Sequence, residues 1–218
     1  MEVCCGNIAS VRAAIEGGAD RVELCRDLEL DGLTPSREMI GEAVGLCHPA
    51  GLLVHVLIRS REGDFVYDDT EVKKMADEIG MAIAEGADGV VVGALTPGGD
   101  IDTAACRKWI DAVRQAVGDQ RRNVTFHRAF DVCDDPLKAI GQIARLGCNR
   151  ILTSGQQATA EQGIPLLRQL VEKAREISAK SGHELGILCG AGVNTHNAST
   201  ILKATGATEI HGSLRTGL

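Results

Sequence analysis

The clearest indication of the fold is a five-residue segment, Gly18-Ala19-Asp20-Arg21-Val22. It begins with a glycine and a small residue, which are followed by a polar residue and then by an apolar strand. The pattern recurs as Gly86-Ala87-Asp88-Gly89-Val90, Gly147-Cys148-Asn149-Arg150-Ile151 and Gly206-Ala207-Thr208-Glu209-Ile210. Glycine accepts the left-handed conformation that closes a helix, so each copy predicts a helix end that turns at once into a strand.

The spacing of these copies predicts the number of strands. Their glycines lie 68, 61 and 59 residues apart, which leaves room for two strand–helix units each, so four copies imply eight strands. The other four strands are predicted at 2–5, 52–58, 124–127 and 185–188, with helix N-caps at Asn7, Ser36, Asp102 and Asp135. This alternation, without a Pro- or Gly-rich linker, predicts an α/β fold: a (β/α)8 barrel of the TIM type, as a single domain over residues 1–218.

The last predicted strand is followed by only a short segment, residues 212–218. The eighth helix is therefore expected to be missing from this chain. Such a gap suggests a truncated chain or a neighbouring molecule that covers it. Because a bare monomer would leave the gap open, we expect a homo-oligomer.

Composition argues against several classes of partner. The 218 residues carry a net charge of −7 and only 2% aromatic side chains, which argues against nucleic acid and anionic membrane surfaces as partners. The longest apolar run, residues 51–58, is too short to span a bilayer, and no signal segment is recognisable before Asn7. Eight cysteines without a secreted disulfide pattern indicate free thiols in a reducing cytoplasm.

Alternation along the strands predicts which side chains point into the barrel. One parity is almost wholly apolar and should face the helices: Val3, Val22, Leu24, Val54, Val56, Ile58, Phe126, Ile187 and Ile210. The other parity should point inward: Glu2, Cys4, Glu23, Cys25, His55, Arg59, Thr125, His127, Glu209 and His211. Burying ionisable groups is costly unless they pair or bind something. Glu2 and Glu23 could pair with Arg59 and the histidines in the lower layers, whereas a functional site is expected at the C-terminal ends of the strands.

The loops after the strands supply candidates for catalysis. Glu23 and His127 are candidates for proton transfer, and Arg59 is a third candidate that would hold an anionic substrate. The anion-binding candidates come from polar loops and from glycine turns that could present backbone N–H groups to a phosphate: Arg61, Arg128, Asp131, Ser154, Gly190, Gly192, Gly212 and Ser213. As alternatives, the arginine loop could simply be solvated, His127 could bond Glu23, and the glycines could only cap strands. No organic cofactor is evident.

Cys4 and Cys25 form the candidate metal pair. They end a repeated pattern, Glu2-Val3-Cys4 and Glu23-Leu24-Cys25, which predicts matching places on neighbouring strands and the same inward parity. Parallel strands lie about 4.8 Å apart, so two thiolates could hold one soft ion, and copper(I) prefers such ligands. The alternative is a pair of small buried side chains without a metal. Cys5 has the opposite parity and should pack against helices.

These motifs resemble those of the CutC family, whose members are named copper homeostasis proteins. The strings that carry the resemblance are Glu2-Val3-Cys4, Gly18-Ala19-Asp20-Arg21-Val22-Glu23-Leu24-Cys25, Gly32-Leu33-Thr34-Pro35-Ser36, Gly63-Asp64-Phe65, Thr125-Phe126-His127-Arg128-Ala129-Phe130-Asp131 and Leu152-Thr153-Ser154-Gly155. The resemblance implies a self-associating cytoplasmic TIM-type barrel that binds copper(I), with Cys4 and Cys25 as ligands. One departure is Arg59-Ser60-Arg61-Glu62-Gly63-Asp64-Phe65, where the family usually has Arg-Pro-Arg-Gly-Gly-Asp-Phe.

Two functions are possible for this chain. A further alternative is that the polar core only stabilises the fold. The first is a cytosolic copper(I)-binding protein that takes part in copper homeostasis, which would need only the two sulfurs. The second is a TIM-barrel enzyme that acts on a small anionic or phosphorylated metabolite, which would use the further polar groups. The expected partner is accordingly a copper ion or a small anionic ligand, with neither nucleic acid nor a membrane.

Overall fold

Eight strands form a closed barrel in chain order. The computed structural model describes residues 1–117 and 122–213. The strands are β1 (Glu2–Cys5), β2 (Arg21–Leu24), β3 (Leu53–Leu57), β4 (Gly89–Val92), β5 (Asn123–Phe126), β6 (Arg150–Thr153), β7 (Gly186–Cys189) and β8 (Glu209–Gly212). Helices α1 (Ile8–Glu16), α2 (Arg37–Cys47), α3 (Asp69–Ala84), α4 (Thr103–Val117), α5 (Pro136–Leu146), α6 (Ile164–Ser181) and α7 (Ala198–Thr205) alternate with them. The predicted (β/α)8 barrel of the TIM type is confirmed.

The contacts along the chain define two compact units. The first consists of Met1–Val92 with Ala104–Val124, and the second of Gly93–Thr103 with Thr125–Leu218. The organisation as one domain over residues 1–218 stays a prediction. Residues 214–218, on which the expected lack of an eighth helix depends, lie outside the described residues.

The recurring glycines close helices as the sequence predicts. Gly18, Gly86, Gly147 and Gly206 have φ angles of 70°, 99°, 96° and 74°, in the left-handed region. Each is followed by a strand that begins within three residues. The left-handed turn therefore directs the chain from a helix straight into the barrel.

The helix starts follow from capping side chains. Asn7 accepts a hydrogen bond from the Ser10 backbone N–H at 2.9 Å, and Ser36 accepts one from Met39. Asp135 accepts from the N–H groups of Leu137 and Lys138. These bonds satisfy donors that a helix N-terminus otherwise leaves without partners, which is why three of the predicted N-caps stand where the helices begin.

In the first unit, the strand register places apolar side chains of β1, β2 and β3 next to one another on the same face of the sheet. Val3 pairs with Val22, and Val22 pairs with Val54, and all three side chains are buried. The adjoining row runs from Cys4 through Glu23 to His55 and then to Gly89. The polar and apolar rows thus separate as the alternation predicts.

Candidate metal and ligand sites

The two predicted metal-binding thiols lie side by side. The Sγ atoms of Cys4 and Cys25 are 3.7 Å apart, and the Cys4 thiol also donates to Glu23 Oε1 at 3.5 Å. Cys25 is fully buried, whereas Cys4 is half-buried. Both sulfurs pack beside Leu57 and Val91 in a small apolar cluster. The arrangement is a pair of soft ligands, one fully buried and one half-buried, with a carboxylate beside Cys4.

The register behind this pair differs from the prediction. Cys4 is opposite Glu23, not opposite Cys25, because β1 and β2 align Glu2 with Arg21. Cys25 follows the end of β2, where its N–H bonds to the Cys5 carbonyl at 3.0 Å. The two cysteines are therefore diagonal neighbours, and their sulfurs meet because both side chains lie on the same face of the sheet.

A buried ionic cluster lies at the start of the same strands. Arg21 Nε is 2.5 Å from Glu2 Oε2, and His55 Nδ1 is 3.8 Å from the same oxygen. The His55 ring fits because a glycine faces it, since a Cβ on Gly89 would lie 2.7 Å from His55 Cδ2 and Nε2. The expected internal network is thus present around Glu2, but its cation is Arg21 and not Arg59. Sequence reasoning missed Arg21, although its position two residues before Glu23 gives it the inward parity.

Arg59 holds two loops together through backbone carbonyls. It is 4% exposed, and its Nη1 donates to the carbonyl oxygens of Leu30 and Gly32 at 2.8 and 3.2 Å, while Nη2 donates to that of Gly63 at 3.0 Å. Its guanidinium also lies over the Phe65 ring, 5.2 Å from the centroid. The terminal nitrogens of Arg59 are therefore already engaged by the protein, and its catalytic role stays a prediction.

Arg61 is paired with one carboxylate of its own loop and one of α3. Its Nε lies 2.5 Å from Glu71 Oε1, and its Nη2 donates to Asp64 Oδ1 at 2.9 Å. The same guanidinium donates to the carbonyl of Val66 at 2.6 Å and lies over the Tyr67 ring. The hydrogen bonds that Arg61 donates to Glu71 and Asp64 raise the pKa of Arg61. The charge of Arg61 is met by two carboxylates, and its role in binding an anion stays a prediction.

In the second unit, His127 is held in one tautomer. Its Nδ1 accepts a hydrogen bond from the Ala129 backbone N–H at 3.1 Å, as the N-cap of the short 3-10 helix Arg128–Val132. A neutral ring that accepts at Nδ1 carries its proton on Nε2. The ring is buried and needs a glycine beside it, because a Cβ on Gly93 would lie 2.6 Å from His127 Nδ1 and Cε1. This geometry suits a hydrogen-bond donor better than a general base.

Three of the predicted anion-binding residues belong to one network around a carboxylate. Asp131 accepts from Thr153 Oγ1 at 2.5 Å and from the Ser154 backbone N–H at 3.0 Å, and Arg128 Nε lies 2.8 Å from it. The Ser154 hydroxyl donates to the carbonyl of Gln157 at 2.5 Å. The network therefore orders the turn after β6, and an additional role in binding an anion stays a prediction.

The predicted glycine turns after β7 and β8 differ from one another. The Gly190 N–H donates to the Thr153 carbonyl, and a Cβ at Gly190 would lie 2.5 Å from Leu152 Cδ1, so packing explains that glycine. Gly192 has a φ of 67° and follows Ala191, whose φ is 79°. After β8, Gly212 is buried and Ser213 is exposed. The turn after β7 is thus the unusual one, because a residue with a Cβ occupies the left-handed region.

Most other cysteines are held as thiols by burial. Burial raises the pKa of Cys5 and of Cys148 to about 12, from 9.0. It also raises the pKa values of Cys47, Cys133 and Cys189 to about 11. A thiol that keeps its proton near neutral pH is a poor metal ligand, because the thiolate is the binding form. Cys5 is completely buried, and its expected packing against the helices stays a prediction.

The family assignment follows from the whole chain. The CutC family model matches residues 1–216. The chain belongs to the CutC family. A CutC family protein from Pasteurella multocida is 45% identical over 97% of this chain and 80% of its own length. One from Bacteroides thetaiotaomicron is 48% identical over 99% of this chain and 80% of its own length.

A solved CutC structure has the same fold. The structure from Streptococcus agalactiae, which carries the name copper homeostasis protein CutC, superposes with a TM-score of 0.88 at 34% identity, covering 99% of this chain and 98% of the other. Within the described part of this CutC family member, none of the helices has the length and apolarity needed to cross a membrane.

Proposed function

We propose that this CutC family member binds copper(I) through the thiolates of Cys4 and Cys25 and takes part in copper homeostasis in the cytoplasm, as a self-associated protein. The observation that carries the proposal is the 3.7 Å separation of the two sulfurs. The copper homeostasis name of the related Streptococcus agalactiae protein supports it.

The distance between the sulfurs suits one shared metal ion. Metal–sulfur bonds of about 2.3 Å allow a single ion to contact both sulfurs at any separation up to about 4.6 Å. Cu(I) is a soft ion that prefers thiolates, and the apolar neighbours Leu57 and Val91 favour such an ion over a strongly hydrated one. Because Cys25 is fully buried, the ion would approach past Cys4.

Anaerobic titration of copper(I) against a competing chromophoric chelator tests the proposal. We expect one tightly bound copper ion per chain, and loss of that binding in both Cys4→Ala and Cys25→Ala. Cys5→Ala is the matched control, since Cys5 adjoins Cys4 in β1 but has the opposite parity and a pKa of about 12. Unchanged copper affinity in both ligand variants, with folding verified by circular dichroism, would refute the proposal.

A second candidate function is an enzyme that acts on a small phosphorylated metabolite. The observation that favours it is the left-handed Ala191, because non-glycine residues held in this region cluster at ligand sites. We expect a phosphate monoester to raise Tm in the parent and not in Gly192→Ala, which disturbs the turn. Gly182→Ala is the matched control, with a φ of 69° and open space around the position. Equal stabilisation of both variants by the ester would count against this candidate.

A further inference from the structure

The sulfurs of Cys4 and Cys25 are close enough to react with each other. They lie 3.7 Å apart, which is van der Waals contact, although the two residues are 21 positions apart in the chain. A disulfide has about 2.05 Å between its sulfurs, so closing the bond brings them about 1.7 Å nearer. The fold therefore already holds two thiols in contact.

These two thiols differ in burial. Cys4 is half-buried, whereas Cys25 is 0% exposed. Cysteines that respond to oxidants are commonly accessible and lie beside a second cysteine that resolves the first oxidation product. Cys4 fits the first of these roles because it is the more accessible of the pair, and Cys25 fits the second.

Cys5, the neighbour of Cys4 in β1, has neither property. It is fully buried, and its sulfur donates to the Val3 carbonyl at 3.6 Å. Burial also raises the pKa of Cys5 to about 12. A thiol that keeps its proton is a poor nucleophile, because the thiolate is the reactive form. The fold therefore distinguishes between two cysteines that are adjacent in the sequence.

We propose that Cys4 and Cys25 form a reversible disulfide when the protein meets a peroxide. The sulfur of Cys4 attacks one oxygen of hydrogen peroxide, the O–O bond breaks, and a sulfenic acid and one water are formed. The sulfur of Cys25 then displaces the sulfenic hydroxyl as a second water and forms the S–S bond. Two thiols and one peroxide thus give one disulfide and two waters, with the sulfurs oxidised and the peroxide oxygens reduced.

The positions of the two cysteines make this disulfide easy to reduce. Cys4 is opposite Glu23, so Cys25 is its diagonal neighbour, two residues further along. Disulfides usually join residues whose Cα atoms lie within about 7 Å of each other, whereas regular strand spacing places such diagonal neighbours about 8 Å apart. The bridge therefore strains the backbone, and strained disulfides are the labile, regulatory ones. Two molecules of glutathione restore both thiols and leave as glutathione disulfide.

A consequence for the metal site follows, and it rests on the proposed copper function. Copper(I) at this site is held by thiolates, and the sulfurs of a disulfide carry no negative charge. Oxidation should therefore switch off copper(I) binding, and reduction by glutathione should restore it.

Tryptic digestion after treatment with hydrogen peroxide and alkylation of the remaining thiols tests the bridge. Cleavage after arginine leaves Cys4 on peptide 1–12 and Cys25 on peptide 22–26, so a disulfide joins the two peptides. Because peptide 1–12 also contains Cys5, the matched variants Cys4→Ala and Cys5→Ala identify which sulfur has reacted. In the folded protein, we expect the joined peptides to be at least about tenfold more abundant in Cys5→Ala than in Cys4→Ala. In urea the two variants should give equal amounts, since the fold no longer separates the two cysteines.

Three outcomes would overturn the proposal. They are the absence of joined peptides in the folded parent, equal amounts of them in the two folded variants, and a bridge that glutathione does not remove. Anaerobic copper(I) titration of the oxidised and desalted parent tests the consequence for the metal site, which is wrong if the oxidised protein still binds copper(I). A bridge that forms in a protein that binds no copper(I) even when reduced would support the disulfide and refute only the copper function.

Discussion

Replacing Arg21 with methionine tests how the buried charges of the barrel strands are balanced. Arg21 Nε lies 2.5 Å from Glu2 Oε2, with side-chain exposures of 7% and 0%. Methionine keeps the aliphatic stem but removes the charge, so the Glu2 carboxylate stays buried without its guanidinium. Breaking a buried ion pair from one side costs about 3–5 kcal/mol. For a chain of this length about 2–4 °C of Tm is lost per kcal/mol, so Tm should fall by about 6–20 °C.

The assay is thermal and urea unfolding followed by circular dichroism, in the single variants and in Glu2→Gln/Arg21→Met. The double variant should lose less stability than the sum of the single variants, because neither partner of the Glu2–Arg21 pair then remains as a buried charge without the other. Arg12→Met is the matched control, since Arg12 lies 3.8 Å from Glu42 with both side chains more than half exposed, and should cost less than about 1 kcal/mol. If Arg21→Met cost no more than Arg12→Met, or if the single effects simply added, the reasoning would be wrong.

Three further predictions concern packing, backbone conformation and thiol ionisation. Gly93→Ala should cost about 1–3 kcal/mol in urea unfolding, because its Cβ would lie 2.6 Å from the His127 ring; no loss would mean that the ring can move. Ala191→Gly should raise the unfolding free energy by up to about 1 kcal/mol, because glycine adopts the left-handed backbone conformation without the strain that alanine has there. A decrease in the unfolding free energy would show that the backbone at Ala191 is not strained. Stability should fall as pH rises from about 9 towards 12, since the thiols of Cys5 and Cys148 ionise only in the unfolded chain over that window. Alanine at both positions should flatten this pH dependence, and an unchanged slope would assign it to other groups.

The repeated glycine segments were sufficient to predict the architecture. A left-handed glycine at the end of a helix is a local requirement, so Gly18, Gly86, Gly147 and Gly206 could be recognised without any tertiary information. The N-caps Asn7, Ser36 and Asp135 were predictable for the same reason, because their hydrogen bonds reach only two or three residues along the chain. The alternation of side chains in the strands likewise placed Cys4 and Cys25 on one face.

The partners of the charged side chains could not be predicted from that alternation. Arg59 has the inward parity expected of a ligand-binding residue, yet its terminal nitrogens hold carbonyls of two loops. Arg21 instead became the cation that pairs with Glu2. The position of a guanidinium several bonds from its backbone depends on loop conformation and on the register between strands, and neither follows from local sequence.

By itself, the sequence determined the order of strands and helices, the closure of each helix and the face to which each strand side chain belongs. These properties depend on backbone conformations that a few adjacent residues select. Only the tertiary structure decided that Cys4 is opposite Glu23, that its sulfur nevertheless lies 3.7 Å from that of Cys25, and that the buried Arg59 donates to backbone carbonyls of two loops. The physical reason is that register and side-chain contacts are set by long-range packing, in which residues far apart in the chain compete for the same space.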